Sequence, residues 1–360
     1  MTTRDLVALS LLPPHRLRSA VPLVLQGLER DAFASCPDPL EAAISLLNPA
    51  EEAPGARATA LREQADGLLA AAVASGIDVV PWVDARYPAL LRWIADPPVV
   101  LWTRGDPAVL ESRAVALVGS RGASPYGLSV AERLAQDLAV AGVTVVSGLA
   151  RGCDGAAHRG ALSAGGATVA VLGCGPDIVY PAEHRNLYRD IADRGAIVSE
   201  LGPGAPPLPA HFPRRNRIIS GLAAAVVVVE ASARSGSLIT AGCALEQGRE
   251  VMAVPGNVLT ERHTGCHDLL RDGARLVQSA GDVLDELGWD RVQEHAKGGP
   301  PDSSDDRVLA CLVPGEDCDV DTLAQRTGLP APPLLERLTR LELLGSIRRT
   351  SAGRFVRSGR

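Results

Sequence analysis

The sequence is almost without lysine and is poor in aromatic residues. Only Lys297 is a lysine, so arginine carries nearly all of the positive charge, and Phe, Trp and Tyr together make up 3% of the chain. The formal net charge is −6. This excess of acid argues only mildly against nucleic acid as a partner, because phosphate binding needs a local basic patch rather than a basic chain.

Long apolar runs and regular cysteine spacing are also missing. No segment approaches the roughly 18 uncharged apolar residues of a bilayer span, and the N-terminus lacks the charged-then-apolar layout of a signal peptide. We therefore expect a cytoplasmic protein without membrane contact. The seven cysteines are odd in number and scattered. Such a set is typical of reduced thiols rather than of a disulfide framework.

Signatures of catalysis and metal binding are absent as well. The sequence contains no Walker loop, no paired carboxylates and no Ser-His-Asp order. The segment His263-Thr-Gly-Cys-His267 has no second cluster with matching spacing, so we predict no metal site. We also predict no cofactor and no enzymatic activity.

The length of 360 residues favours two or three domains. Residues 1–75 are rich in Leu, Ala and Pro with helical spacing and predict a small helical N-terminal domain. Residues 76–289 predict an α/β domain. Residues 290–306 have the Gly, Pro, Ser and Asp content of a linker, and residues 307–360 predict a winged-helix-like domain.

In the α/β region, apolar runs of strand length alternate with segments of helix length. This alternation predicts right-handed βαβ units and a doubly wound, mostly parallel sheet. In such sheets, ligands bind beyond the carboxyl ends of the strands. The candidate strands are Ala114–Val118, Val143–Val146, Ala167–Leu172, Ala196–Val198, Ala225–Val229 and Val251–Val254.

The most informative stretch is Phe212-Pro-Arg-Arg-Asn-Arg-Ile-Ile-Ser220, directly before the β-branched run Ala225–Val229. We predict that it is a short connection beside a strand buried in the middle of the sheet. Its three arginines suit phosphate, because guanidinium is planar and always charged. The alternative is a solvated, salt-bridged turn.

A glycine-rich segment, Gly119-Ser-Arg-Gly-Ala-Ser-Pro-Tyr-Gly127, follows the first core strand. Ser124 is a natural N-cap with Pro125 at the first helical position, and a helix N-terminus favours an anion. Arg121 is predicted to add a bidentate phosphate contact. The spacing does not fit the dinucleotide fingerprint, so an NAD enzyme is a weak interpretation. The alternative is a tight turn with a solvated arginine.

Later strand ends carry further candidates. Ser147 and Gly148 are expected to face the same crevice, and Tyr180 either stacks on a base or is an ordinary turn residue. Ser235, Gly236 and Ser237 supply donors where another helix begins.

Two residues near these strand ends have structural interpretations instead. Asp154 is expected to cap a helix rather than act as an acid or base. His158, on an Ala-rich face, is expected to be a packed core histidine. Several anion-friendly strand ends in one sheet favour an extended polyanion over a single phosphate.

Taken together and in this order, the motifs resemble the DNA processing protein A (Smf) family of bacterial proteins. The resemblance runs from about residue 77 to residue 287. It is carried by Gly119-Ser-Arg121, Ser147-Gly148, Tyr180-Pro181, Phe212-Pro-Arg-Arg-Asn-Arg217, Ser235-Gly-Ser-Leu-Ile-Thr-Ala241 and Val254-Pro-Gly256.

The resemblance implies an extended Rossmann-like domain that binds single-stranded DNA without sequence preference and forms a homodimer. It implies loading of the RecA recombinase onto DNA and displacement of single-strand-binding protein during natural transformation. By motif match, the residues expected to bind DNA are Gly119, Ser120, Arg121, Phe212, Arg214, Arg215, Asn216 and Arg217.

Two other functions stay open at this point. The chain is also similar to nucleotide-cleaving phosphoribohydrolases of related fold, but Ser235-Gly-Ser-Leu-Ile-Thr240 lacks the paired glycines of their P-G-G-x-G-T loop. The other possible function is that of a transcription factor. Such a protein would use the C-terminal winged helix to bind duplex DNA at a defined sequence.

Overall fold

The computed structural model describes residues 1–13, 24–25, 27–28, 33, 36–289, 306–312, 316–343, 345–350 and 353–357. Nearly all of the predicted linker lies outside these residues. The domain boundaries proposed from the sequence therefore stay predictions. No helix in the described part of the chain is long and apolar enough to cross a bilayer.

Helices precede the sheet, as the N-terminal sequence predicts. They are α1 (Thr3–Ser10), α2 (Pro39–Leu47) and α3 (Pro54–Ala74). Arg62 on α3 joins the three helices, because its guanidinium forms ion pairs with Asp5 of α1 at 2.8 Å and with Asp38, the N-cap of α2, at 2.7 Å. The carboxyl groups also cap their own helices, so these contacts fix the packing angles of the bundle.

A single sheet of nine strands forms the centre of the molecule. Its spatial order is β1-β2-β6-β5-β4-β3-β7-β8-β9. The strands are β1 (Asp78–Pro81), β2 (Val100–Gly105), β3 (Ala114–Val118), β4 (Thr144–Ser147), β5 (Thr168–Val171), β6 (Ala196–Ser199), β7 (Ala225–Val228), β8 (Glu250–Ala253) and β9 (Arg275–Leu276).

Strands β3 to β9 are mutually parallel, whereas β2 pairs antiparallel with β6 and with β1. All residues of the central strands β3, β4 and β7 are buried. This burial follows from their β-branched, continuously apolar sequences, which suit a strand covered on both faces. The predicted mostly parallel, doubly wound sheet is confirmed, and each of the six predicted core strands lies within two residues of its predicted ends.

Helices cover both faces of the sheet. They are α4 (Ala89–Arg92), α5 (Pro125–Val140), α6 (Cys153–Ser163), α7 (Arg185–Arg194), α8 (His211–Gly221), α9 (Ser237–Glu246), α10 (Thr264–Arg271) and α11 (Ala280–Glu286). Helix α5 begins as predicted, because Ser124 is its N-cap and accepts from Gly127 N–H, with Pro125 following.

The arginine-rich segment is a helix, so the predicted short connection is wrong. Helix α8 spans it and carries the chain from β6 across the sheet to β7. Pro213 lies in the first turn, where its missing N–H has no intrahelical acceptor to lose. Ile218 and Ile219 bury the inner side of the helix. The turn was predicted because Pro213 and the neighbouring charges are typical of connections. Both are also compatible with the first turns of a crossover helix.

The described residues from 306 to 357 form three helices and a hairpin. They are α12 (Asp306–Cys311), α13 (Val320–Thr327), α14 (Ala331–Leu343) and the antiparallel pair β10 (Ile347–Arg349) and β11 (Phe355–Arg357). Leu323, Leu338 and Phe355 belong to a core of their own. The winged-helix-like fold predicted for this region is confirmed.

Candidate nucleic-acid interface

A cavity lies where the strand order reverses. From β3 the chain proceeds to β4, β5 and β6 on one side, and β7 to β9 lie on the other side. The cavity has a volume of about 550 Å³ and is lined at the carboxyl end of β3 by residues 118–122 and beyond β7 by residues 232, 235–237, 239 and 240. This is the position that the doubly wound topology dictates for a ligand.

The loop after β3 forms one wall of the cavity. Its backbone is tied to β7 and α6, because Ser120 N–H donates to the Glu230 carbonyl at 2.7 Å and Cys153 N–H donates to the Ser120 carbonyl at 3.2 Å. The Ser120 hydroxyl accepts from Gly122 N–H within the turn. Arg121 stays exposed at the rim. Gly119, Ser120 and Arg121 are therefore brought to the cavity, as predicted.

Aromatic rings lie at the rim beside Arg121. The Arg121 guanidinium carbon is 5.5 Å from the ring centroid of Phe212. The Phe212 and Tyr180 rings are 5.3 Å apart and tilted by 40°. Tyr180 is 44% exposed, so part of its ring is available to a ligand. A cation beside two partly open rings is a surface on which a nucleobase stacks while its phosphate meets the cation.

Arg215 lines the cavity as a buried side chain. It is 6% exposed, and its Nη1 donates to the Val171 carbonyl at 2.7 Å. A Cβ on Gly148 would collide with this guanidinium, so a larger residue there would displace the Arg215 side chain. Burial lowers the pKa of Arg215 to about 10, and the nearby Asp154 opposes that shift. Arg215 therefore stays charged at neutral pH inside the wall of the cavity.

Short polar side chains close the opposite wall. Ser235, Gly236 and Ser237 lie where α9 begins, and the two serine hydroxyls are 2.8 Å apart. Asn216 joins this wall to α8 by donating from Nδ2 to the Gly236 carbonyl at 3.4 Å. All four residues line the cavity, as the sequence predicted. The wall supplies small donors without net charge.

Arg214 and Arg217 point away from this cavity. Arg217 is 8% exposed, and its guanidinium lies 2.9 Å from Asp96 and 2.7 Å from Glu200. Arg214 lies 3.1 Å from Glu200. The structure therefore places both arginines in an ion-pair cluster behind α8. A direct role for them in DNA binding stays a prediction, without support from their position.

Ser147 is likewise directed into the structure. Its hydroxyl is fully buried and donates to the Leu117 carbonyl at 2.6 Å, so the structure does not bring it to the cavity. His158 is also fully buried, with Nδ1 2.7 Å from the Thr168 hydroxyl. The prediction of a packed core histidine is confirmed.

Asp154 is not the helix cap that the sequence suggested. The N-cap of α6 is Gly152, and the Asp154 carboxylate instead accepts from Gly148 N–H at 3.2 Å and Ala150 N–H at 3.4 Å. Burial raises the pKa of Asp154, and Arg215 opposes that shift. Its side chain lines the floor of the cavity. Its electrostatic interaction with Arg215, across 61 positions of the sequence, could not be predicted from local sequence.

Other residues that organise the site were also missed. Glu200, directly after β6, and Asp96, which is 121 residues from Arg217 in the sequence, neutralise Arg214 and Arg217. Pro207 and Pro209 line the outer edge of the cavity. The Pro-rich composition before α8 was the only available signal for them. In the described part of the chain, no group of three or more His, Cys, Asp or Glu side chains is placed to hold a metal ion.

These features define an α/β protein with a strand-end cavity that combines guanidinium, aromatic and small polar groups. A family model for DNA recombination-mediator protein A matches residues 78–288, and a model for the DprA winged helix domain matches residues 292–353. The chain belongs to the DNA recombination-mediator protein A family.

Individual relatives agree with this assignment. The chain is 41% identical to Protein Smf of Escherichia coli (strain K12) over 288 residues, which cover 78% of this chain and 77% of that protein. It is 47% identical to DNA processing protein DprA of Streptococcus pneumoniae over 205 residues, or 57% of this chain and 72% of that protein.

Solved structures show the same fold. The X-ray structure of DNA processing protein A from Streptococcus pneumoniae matches with a TM-score of 0.69 at 37% identity, covering 79% of this chain and 98% of that chain. DNA processing protein A from Helicobacter pylori matches with a TM-score of 0.54 at 28% identity, covering 59% and 95%. The latter structure is described as giving insight into a unique single-stranded DNA binding mode.

Proposed function

We propose that the protein binds single-stranded DNA without sequence preference in the strand-end cavity. One observation carries the proposal. Arg121, Phe212 and Tyr180 form a continuous cation–ring–ring surface at the rim, above the buried charge of Arg215. Phosphate contacts and stacking both tolerate any base, so this combination suits a strand rather than a defined sequence.

The geometry supports a division of labour within the cavity. Arg121 is exposed and takes a phosphate at the rim, whereas Arg215 is held by Val171 and supplies a fixed positive charge below it. Phe212 and Tyr180 take the bases. Ser235, Ser237 and Asn216 offer hydrogen bonds on the far wall. A duplex keeps its bases stacked inside, so it cannot use the rings.

We further propose that the bound strand is passed to the RecA recombinase, with displacement of single-strand-binding protein, during natural transformation. The family membership and the DNA-processing names of the relatives support this role. We also propose a homodimer through the Rossmann-like domain. β9, a two-residue strand, lies at the edge of the sheet, and its Leu276 is 44% exposed, which offers apolar surface for a second chain to cover.

Binding rather than catalysis is the better supported activity. A nucleotide-cleaving enzyme needs a carboxyl group that can reach the substrate. The Glu230 carboxylate is 0% exposed and turned towards Ser124, and Asp154 is engaged by two backbone N–H groups. A nucleotide-release assay on nucleoside monophosphates should therefore show no turnover above a no-protein control.

The direct test is binding of a fluorescent oligo-dT, compared with a duplex of equal length across a salt series. We expect a clear preference for the single strand and an affinity that falls with salt. Arg133→Ala serves as a matched control, because Arg133 is an exposed arginine on α5 paired with Asp137. Equal or tighter binding of the duplex would reject the proposal and favour the winged helix as the DNA-binding element.

A further inference from the structure

Glu230 is a buried carboxylate that the proposed binding chemistry does not use. It follows β7 and is 0% exposed. Its ion-pair partner Arg262 is at the long distance of 3.8 Å from Nη1, and the His263 ring nitrogen, 3.9 Å away, is charged only when protonated. A buried charge without a close ion pair is costly unless hydrogen bonds stabilise it. We therefore expect hydrogen-bond donors around the Glu230 carboxylate.

The hydrogen bonds come from the beginning of helix α5. Ser124 N–H donates to Glu230 Oε1 at 3.0 Å, and the Ser124 hydroxyl donates to Glu230 Oε2. The same hydroxyl accepts from Gly127 N–H at 3.1 Å. A Cβ on Gly127 would collide with the carboxylate, so the lack of a side chain at this position makes room for Glu230. Glu230 thus occupies the anion position at this helix N-terminus, where a dinucleotide-binding fold holds a phosphate.

The loop that carries Arg121 lies between these anchored points. At its beginning, Ser120 N–H donates to the backbone carbonyl of Glu230 at 2.7 Å. At its end, Ser124 is held by the carboxylate of the same residue. Midway, the carbonyl of Gly122 accepts from Arg262 Nη1 at 2.8 Å. One residue therefore holds both ends of a five-residue loop.

We propose that Glu230 is a positioning residue for DNA binding: its carboxylate fills the helix N-terminus in place of a ligand phosphate and holds loop 120–124 so that Arg121 faces the strand. This inference rests on the proposed function. It also explains why the site uses guanidinium groups for phosphate, since the backbone donors at the start of α5 are already occupied.

The test is a double-mutant cycle on the full chain, read by fluorescent oligo-dT binding. We expect Glu230→Ala and Arg121→Ala each to weaken binding about tenfold, and the double variant to lose little more than either alone, because both act through the same contact. A merely structural role for Glu230 would give additive losses of about a hundredfold, and this result would overturn the inference. Asp137→Ala on the same helix is the control.

Rescue by a small carboxylate provides a second readout. Sodium formate should restore binding by Glu230→Ala, because formate fits the vacated anion position, whereas sodium chloride at the same ionic strength should weaken it. Failure of formate to differ from chloride would contradict the inference. If Glu230→Ala does not fold, Glu230→Gln and Ser124→Ala replace it in the cycle, with the same expected non-additivity. Wild-type protein that does not bind oligo-dT would reject the proposed function instead.

Discussion

The two sides of helix α8 use the same residue type for opposite purposes. On the cavity side, Arg215 is buried beside Asp154 and stays part of a wall that faces the proposed DNA strand. On the far side, Arg214 and Arg217 are neutralised by Glu200 and Asp96. A cluster of arginines in a sequence therefore does not define a phosphate site. The side of the helix on which each arginine lies decides whether it reaches the cavity.

The largest effect is expected for Arg215→Ala. Removing this side chain takes the nearby cation from the buried Asp154 and removes the hydrogen bond to the Val171 carbonyl. We expect the free energy of unfolding to fall by about 3 kcal/mol and oligo-dT binding to be lost. Denaturant unfolding and fluorescence anisotropy measure the two quantities. The double variant with Asp154→Asn should recover part of the stability but not the binding, and loss of neither property in Arg215→Ala would contradict this assignment.

Arg217→Ala should lower the stability of the protein without weakening DNA binding, unlike Arg215→Ala. It leaves Glu200 and Asp96 without a shared cation in a largely buried position, so we expect a loss of about 2 kcal/mol in stability. Where the variant is folded, its affinity for oligo-dT should stay within about twofold of wild type, because the side chain does not reach the cavity. Arg217→Lys should lose less stability. A folded Arg217→Ala that binds DNA poorly would restore Arg217 as a ligand of phosphate.

Phe212→Ala removes the ring between Arg121 and Tyr180. We expect binding to weaken by about 2 kcal/mol, since stacking on an aromatic ring contributes about 1–3 kcal/mol per base. Phe212→Tyr keeps the ring and should bind almost as wild type. The affinities are compared on oligo-dT and on oligo-dA of equal length. An unchanged affinity in Phe212→Ala would show that bases do not stack at this rim.

Arg121→Ala is expected to have the smallest effect of the four. The side chain is exposed at the rim, so its loss should leave the melting temperature unchanged. Binding should weaken by about 1.4 kcal/mol, or tenfold, whatever the sequence of the strand. Arg133→Ala, which removes an exposed arginine far along α5, should bind as wild type. Equal losses in the two variants would reduce the role of Arg121 to general electrostatic attraction.

Local sequence patterns predicted the strands of the sheet and the start of helix α5 well. The β-branched run Ala225–Val229 could only be a buried strand, and Ser124 followed by Pro125 marked the start of a helix. Both signals act over a few residues. They placed Gly119, Arg121 and Ser235 at strand ends, and the topology then brought those ends together at one edge of the sheet.

The roles of the charged residues were harder to predict, because they depend on partners that are distant in the sequence. Arg217 meets Asp96 after a separation of 121 residues, and Ser124 meets Glu230 after 106. Nothing in the spacing of the arginine cluster distinguishes Arg215 from Arg217, although they lie two positions apart on one helix. Helical geometry turns them to different sides, and only the folded chain shows which side faces the cavity.

The salt dependence of oligo-dT binding, measured in parallel for wild type, Arg121→Ala and Arg217→Ala, tests the central claim most directly. A phosphate contact on a single strand contributes about 0.7 to the slope of log K against log salt concentration. We predict that Arg121→Ala reduces the slope by about this amount and that Arg217→Ala leaves it unchanged. A reduced slope in Arg217→Ala with a wild-type slope in Arg121→Ala would place the strand on the other side of helix α8 and contradict the account.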